Sequence, residues 1–297
     1  MGQLGSITWR EVEPHIVRFR DPMDFQCHLV IGSERALLVD AMGGHGDLRA
    51  AVSQVTDLPV TVVATHSHYD HWTGAYFFDV VWMEASEIER IPLEKELAAG
   101  AHAHVVSKGI VSDDDPWGPR DGAMPEIALL QEGMAFDLGG ITVEAVALPG
   151  HTAGSMGFYA HELGVLFTGD AVTPTMCLFF PESMDIATHR ATLAKIAALP
   201  FERFYTSHQD RTFTREDLAS FDACAAFVET DPGSEWVHSI FPQFKGRIHI
   251  YQGIDPEGDD FRALIEQDTP ETRDRAKRIR AERRAARAAR KAAKAAE

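Results

Sequence analysis

Short apolar runs separated by turn signals occupy the first 65 residues. The segments rich in β-branched and aromatic residues are 7–11, 15–20, 25–31 and 35–40. Such segments predict strands, and pairs such as Asp21-Pro22 mark the turns between them. A helical segment at 47–55 then precedes a nearly continuous apolar run at 60–65, which is typical of a strand buried on both faces. The order strand, helix, strand predicts an α/β fold.

The rest of the chain continues this alternation. The predicted strands are 127–130, 141–147, 155–160, 165–168 and 203–206. The predicted helices are 85–106, 184–199 and 217–228. A long polar stretch at 112–125 is full of turn formers, and its length indicates a lid, a binding loop or disorder.

We expect two regions, a catalytic domain at 1–251 and a helical extension at 252–297 with a basic Ala/Arg-rich tail. In the segment 271–297, Ile279 is the one large aliphatic residue, so the pattern predicts an exposed, fraying helix. The alternatives left open are a helix that binds an acidic partner, one that binds the acidic body of a second copy in a homo-oligomer, and a solvated appendage.

Charge is distributed unevenly along the chain. The formal net charge is −17, and residues 271–297 hold 11 Lys/Arg against 4 Asp/Glu, which leaves 17 against 41 in residues 1–270. So acidic a body argues against nucleic-acid and anionic-membrane partners, and we expect a small-molecule partner. The first residues lack a secretory signal pattern, no run approaches a membrane span, and three scattered cysteines suit a reducing compartment; together they predict a cytoplasmic protein.

The residues that indicate chemistry follow the apolar run at 60–65. His66, His68, Asp70 and His71 place three imidazoles and a carboxylate within six positions. Without an ion, such imidazoles would repel one another when protonated and stay unsatisfied when neutral. Imidazole and carboxylate ligands suit zinc, iron and related divalent metals, and four such groups cannot easily share one ion that keeps an open position. The spacing therefore suggests two adjacent ions.

The H-x-H-x-D-H pattern resembles the metallo-β-lactamase superfamily. That family continues with an isolated His, an Asp and a final His, each after a strand. The matching stretches here are Leu148-Pro149-Gly150-His151, Phe167-Thr168-Gly169-Asp170, Phe204-Tyr205-Thr206-Ser207-His208 and, upstream, Ala36-Leu37-Leu38-Val39-Asp40. The resemblance covers residues 7–210. It departs from the commonest pattern at Trp72-Thr73-Gly74 and at Thr206-Ser207.

The resemblance implies a four-layer αβ/βα sandwich with metals at one edge of the sheets. Position by position, it assigns His66, His68 and His151 to a first ion. It assigns Asp70, His71 and His208 to a second ion, and Asp170 to a bridge between the two. Zinc is the metal expected, with iron or manganese as alternatives.

The implied activity is that of a dinuclear metal-dependent hydrolase, in which a metal-bridging hydroxide attacks the carbonyl of a small ester, thioester or lactone. Asp70 is also expected to orient this hydroxide and accept its proton. A bridging Asp170 favours the branch that includes glyoxalase II and lactonases. The alternatives are a β-lactamase-like amidase or a phosphodiesterase and, in another class, an iron-dependent oxygenase or a non-catalytic metal sensor.

Substrate contacts are predicted at Tyr69, Trp72 and Phe179, each weighed against simple packing. The sequence does not identify the substrate, and it assigns specificity to the 107–125 loop, the 172–182 segment and the C-terminal third. Trp117 in that loop is a candidate for closing over the apolar residues that follow Asp170.

Overall fold

Three β-sheets organise the chain in this computed structural model, which describes residues 1–253, 255 and 258–296. The first sheet has its strands side by side in chain order: Gly2–Leu4, Ile7–Glu13, Ile16–Arg20, Gln26–Ile31, Ala36–Val39, Val60–Val63, Val80–Glu84 and Glu126–Leu130. The second sheet runs in the spatial order Phe213–Thr214, Arg203–Thr206, Val165–Gly169, Met156–Ala160, Thr142–Ala147 and Ala135–Asp137.

Helices cover the outer faces of these two sheets. The α-helices are Leu48–Val52, Tyr69–Trp72, Ala85–Ile88, Ile91–Ser107, Gly118–Asp121, Ile186–Ala198, Leu218–Phe227 and Pro270–Ala296, and 3-10 turns lie at Thr73–Phe77 and Arg215–Asp217. The segment predicted as one helix at 85–106 is therefore two, with a break at residues 89–90.

The first two sheets face each other across a shared core. Val30, Leu37 and Val63 of the first sheet pack with Phe158 and Phe167 of the second. The opposite face of the first sheet packs on the short helices near residues 48–77, and that of the second on the helices at 186–198 and 218–227. The predicted sequence of layers, helix, sheet, sheet and helix, is confirmed.

A third, four-stranded sheet was not predicted. Its order is Thr175–Leu178, Arg262–Gln267, Lys245–Gln252 and Ser234–Val237. Met176 and Leu178 pack toward Cys224 and Leu264, whereas the alternate positions Thr175 and Cys177 line a cavity. This alternation is the ordinary two-residue period of a strand.

The third sheet also changes the picture of the predicted C-terminal extension. Residues 252–297 hold the strand Arg262–Gln267 as well as a helix, so the extension is not only helical. Residues 254, 256, 257 and 297 of that range lie outside the described residues. The boundary at 251 stays a prediction.

The C-terminal helix is attached to the body at its start and exposed beyond it. Ala276 and Ile279 are buried, and Arg275 forms an ion pair with Glu266. Residues 281–294 are exposed, as predicted for this tail. Among the described residues, we find no helix with the length and apolarity to cross a bilayer.

The polar stretch near residue 117 packs against the protein body away from the cavity. The indole of Trp117 stacks on His102 with ring centroids 4.0 Å apart, and His45 Nε2 lies 3.2 Å from His102 Nδ1. No described residue of the 107–125 loop lines the cavity at the histidine cluster, so the structure corrects the prediction that this loop sets specificity there. Trp117 is held by His102 and does not close over the site.

These contacts predict a pH-dependent stability. Burial lowers the pKa of His45 to about 4, so its contribution to folding is complete above the unfolded value near 6.5 and is lost as pH falls toward 4. Relative to His45→Gln, the metal-free wild type should lose about 2–3 kcal/mol of unfolding free energy between pH 7 and pH 4. Urea denaturation at both pH values measures this difference. The half-exposed His104→Gln is the control, and parallel losses in wild type and His45→Gln would contradict the prediction.

Candidate metal centre

The seven residues singled out from the sequence meet at one edge of the two facing sheets. Each group follows a strand: the first four follow Val60–Val63, and the remaining three follow Thr142–Ala147, Val165–Gly169 and Arg203–Thr206. Because these strands end at the same edge, their following loops converge there. The residues brought together are His66, His68, Asp70, His71, His151, Asp170 and His208.

Among the groupings of donor atoms that could hold an ion, two correspond to the two subgroups that the resemblance implies. The rings of His66, His68 and His151 lie 4.6–4.8 Å apart between centroids, and His68 Nδ1 is 2.9 Å from His151 Nε2. In the second subgroup, Asp70 Oδ2 lies 3.6 Å from His71 Nε2 and 3.5 Å from His208 Nε2. Each subgroup has donor atoms close enough together for one ion.

Asp170 faces both subgroups. Its carboxylate oxygens lie 3.2 Å from His208 Nε2, 3.6 Å from His71 Nε2 and 3.8 Å from His151 Nε2. Burial alone would raise the pKa of Asp170, but His208 and His71 hold that pKa well below its usual range. A carboxylate in this position can contact two cations at once.

Four of the imidazoles are anchored through the nitrogen that points away from the centre. The outward pairs are His66 Nδ1 with Thr65 Oγ1 (3.0 Å), His68 Nε2 with Glu182 Oε1 (2.8 Å), His71 Nδ1 with Asp40 Oδ2 (2.9 Å) and His151 Nδ1 with the Cys177 carbonyl (2.8 Å). The other nitrogen of each ring therefore faces the interior. Metal-binding histidines are held in this way in proteins generally.

The inward atoms fit a metal. His66 Nε2 and His71 Nε2 are buried and have no hydrogen-bond partner, which is costly for a polar atom unless a cation completes it. Burial lowers the pKa of His66 well below its usual range and that of His151 to about 4, so both rings are neutral at pH 7. Neutral imidazole is the form that binds zinc and related ions.

Asp40 fixes the loops that carry these groups. Its carboxylate accepts hydrogen bonds from the Thr65 amide at 2.7 Å, the Ser207 hydroxyl at 3.0 Å and His71. Asp40 therefore ties together the ends of three strands from both sheets. Gly169, at φ +52°, lets the Asp170 loop pass beside Thr65, where a Cβ would lie 2.5 Å from Thr65 Oγ1.

Two further carboxylates support the loops, and sequence reasoning missed both. Buried Glu87 accepts from the Ser67 amide at 2.9 Å, the Ser67 hydroxyl at 2.6 Å and the Gly154 amide at 3.1 Å, so it joins the loops of His68 and His151. Glu182 accepts from His68 and lies 2.5 Å from the Arg90 guanidinium. Neither belongs to a recognisable motif, which left no sequence signal.

Glu182 should therefore influence metal affinity. Replacing Glu182 with Gln weakens the acceptor that orients His68, and we expect the dissociation constant for zinc to rise about tenfold. Competition with a chromogenic chelator measures this constant. The exposed Glu89→Gln is the matched control, and a wild-type affinity in the Glu182→Gln variant would contradict the positioning role.

A cavity of about 390 Å³ opens beside the centre. Its walls include Tyr69, Phe179 and the inward groups His68, Asp70 and Asp170. The structure therefore places two of the three predicted substrate contacts, Tyr69 and Phe179, on the cavity.

Trp72 does not reach this cavity. Its indole is 1% exposed and packs on Tyr76 with ring centroids 5.5 Å apart, inside the core between the first sheet and its helices. Successive residues of a helical turn point about 100° apart, so the residue after His71 faces the core. This corrects the prediction of a pocket wall at Trp72.

Comparison with known proteins agrees with this geometry. A sequence profile described as the Metallo-beta-lactamase superfamily matches residues 25–208, which contain all seven groups. The chain belongs to the metallo-β-lactamase superfamily. The predicted fold is therefore confirmed.

Curated relatives of the superfamily match part of the chain. It is 30% identical to the acyl-coenzyme A thioesterase MBLAC2 of Bos taurus over 164 residues, which cover 48% of this chain and 57% of that protein. It is also 30% identical to a hydroxyacylglutathione hydrolase of Fuscovulum blasticum over 178 residues, covering 60% and 58%. The matches thus span little more than half the length of these relatives.

Solved structures share the fold at lower identity. The sec-alkylsulfatase Pisa1 from Pseudomonas sp. aligns with a TM-score of 0.56 and 19% identity, covering 76% of this chain and 42% of that one. A metallo-beta-lactamase family protein from Thermus thermophilus aligns with a TM-score of 0.51 and 21% identity, covering 75% and 80%. These likenesses concern the fold alone.

Proposed function

We propose that the chain is a dinuclear metal-dependent hydrolase that cleaves a small ester, thioester or lactone. The observation that carries this proposal is the convergence of seven buried or half-buried donor groups, with outward nitrogens anchored, at the end of an apolar cavity. In this proposal His66, His68 and His151 hold one ion, Asp70, His71 and His208 hold the other, and Asp170 contacts both. Zinc is the metal we propose.

Two divalent cations held there would supply an activated water and a Lewis acid for the carbonyl oxygen. The protein's own part is orientation and proton transfer. Asp70 lies at the mouth of the centre with its side chain 16% exposed and faces both the donor groups and the cavity. In that position its carboxylate would accept a proton from the attacking water and pass it to the leaving oxygen or sulfur as the acyl bond breaks.

Two relatives support cleavage of an acyl bond. One is described as an acyl-coenzyme A thioesterase and the other as a hydroxyacylglutathione hydrolase, and both match the chain over part of its length. We also propose a cytoplasmic location, because the three scattered cysteines suit a reducing compartment.

A substrate panel tests the proposal. The zinc-loaded chain is assayed with an acetyl ester, an acetyl thioester, a γ-lactone, a β-lactam and a phosphodiester, each with and without a chelator. We expect chelator-sensitive turnover of the first three classes and wild-type rates on zinc restoration. Turnover of only the phosphodiester or the β-lactam, or turnover that survives complete metal removal, would contradict the proposal. Metal analysis distinguishes the proposed hydrolase from the oxygenase alternative, because the oxygenase is expected to hold one iron ion and the hydrolase two zinc ions.

A further inference from the structure

One wall of the cavity comes from residues beyond the matched superfamily region. Trp236, Phe241 and Phe244 lie in the segment 234–244, which follows the matched range 25–208 and belongs to the third sheet and its connecting loop. The third sheet therefore shapes the pocket of this particular chain.

The aromatic rings of this segment continue to the donor groups. The Trp236 ring lies 4.5 Å from Phe179, and the Phe244 ring 5.3 Å from Phe180, between centroids. Phe180 in turn lies 4.5 Å from His68. We call Phe179, Phe180, Trp236, Phe241 and Phe244 the aromatic wall. Its rings form a connected set of contacts that begins at His68.

Away from the histidines that would hold the ions, the charged side chains of the cavity are acidic. Its acidic groups are Asp70, Asp170 and Glu94, and none of the described residues that line it is Lys or Arg. Glu94 is fully buried and already paired with Arg90 at 2.8 Å. When the substrate carbonyl lies at the donor groups, a carboxylate at the far end of its acyl chain would lose its hydration against the aromatic wall with no Lys or Arg to pair with, which is strongly unfavourable.

We propose that the aromatic wall binds the apolar acyl group of an uncharged ester or thioester, and that acyl chains of several carbons are preferred to acetyl and to acyl groups that end in a carboxylate. This inference rests on the proposed function, which places the carbonyl at the donor groups. The cavity volume of about 390 Å³ lies within the usual range of small-ligand sites.

Chain-length kinetics test the preference. With the zinc-loaded full chain and N-acetylcysteamine thioesters from acetyl to octanoyl, kcat/KM should rise about fourfold per added methylene. Trp236→Ala and Phe244→Ala should reduce this slope to about twofold or less. Both side chains are partly exposed, so neither change empties the core. The control is Tyr251→Ala, which removes an exposed ring of the same sheet outside the cavity and should keep the wild-type slope.

Two further substrates test the charge argument and the role of the carrier. Glutaryl thioester should be at least about tenfold poorer than the pentanoyl thioester of the same acyl length, because its carboxylate has no partner. Comparing kcat/KM for octanoyl coenzyme A with that for the octanoyl N-acetylcysteamine thioester shows whether the thiol carrier adds to recognition, because the two substrates share the same acyl group. A flat chain-length profile, or a preference for the glutaryl substrate, would overturn the inference.

Binding without turnover separates this inference from the proposed function. Titration calorimetry with neutral octanamide should detect binding to the wild type, and Trp236→Ala and Phe244→Ala should weaken it at least about fivefold. If octanamide binds but the zinc-loaded chain hydrolyses none of the esters, thioesters and lactones tested, the proposed function is overturned and the inference about the aromatic wall is kept. Acetyl thioester turnover with no octanamide binding would overturn the aromatic wall alone.

Discussion

Replacing Asp170 with Ala should lower bound zinc from two ions per chain toward one. In the structure this carboxylate is the group that faces donor atoms of both subgroups, 3.2–3.8 Å from His71, His151 and His208. Its removal takes a negative charge from a centre that would hold two dications, and it leaves Asp70 as the one carboxylate among the remaining donor groups. Losing the second ion should also cost several kcal/mol of transition-state stabilisation, about 10³-fold in kcat/KM.

Elemental analysis after dialysis against zinc measures this stoichiometry. The exposed Asp57→Ala, which changes the same residue type far from the centre, should keep two ions and wild-type turnover. Two tightly bound ions in Asp170→Ala would remove this residue from the bridging position.

Replacing Asp70 with Asn should lower kcat by about 10²–10⁴-fold at saturating zinc. The amide keeps the size of the side chain and can still contact a cation, but it cannot accept the proton of the attacking water. The side chain is 16% exposed at the cavity, so a substrate can reach it.

Metal analysis and a substrate assay on the same sample separate the two functions of Asp70. Loss of turnover with two zinc ions still bound supports the proton-transfer role, and loss of one ion supports a ligand role. Undiminished turnover would contradict both.

Four of the donor groups were accessible to sequence reasoning through their spacing after an apolar strand, and the other three through the resemblance to the superfamily. Four lie in one short motif after Val60–Val63, and the convergence of strand ends at one sheet edge brings the distant His151 and His208 to the same place. The ligand assignment itself stays a proposal, because it comes from the family pattern and the inward-facing atoms.

The third sheet was not predicted because its strands contain charged side chains that are buried. The strand Arg262–Gln267 is buried along most of its length, yet it contains Arg262 and Glu266, and its neighbour contains buried His249. Arg262 donates to Ser220, and Glu266 lies 3.1 Å from His249 Nε2. These buried polar groups find their partners only in the folded chain. In the sequence, the charged residues interrupt the run of apolar residues by which a buried strand is usually recognised, so the segment was not predicted as a strand.

The contacts that anchor the histidines from outside the centre were not predicted, for a related reason. Glu182 reaches His68 from more than a hundred positions away, and its partner Arg90 lies at the break between two helices. Only tertiary structure brings an isolated carboxylate to a histidine. Trp72 shows the converse error, since closeness in sequence to His71 did not mean closeness in space to the cavity.

Anomalous diffraction at the zinc edge, from crystals of the zinc-loaded chain, tests the central claim most directly. Our account predicts two peaks, one among His66, His68 and His151 and the other among Asp70, His71 and His208, with Asp170 reaching both. A single peak, or none within these seven side chains, would contradict the dinuclear centre on which the proposed chemistry depends.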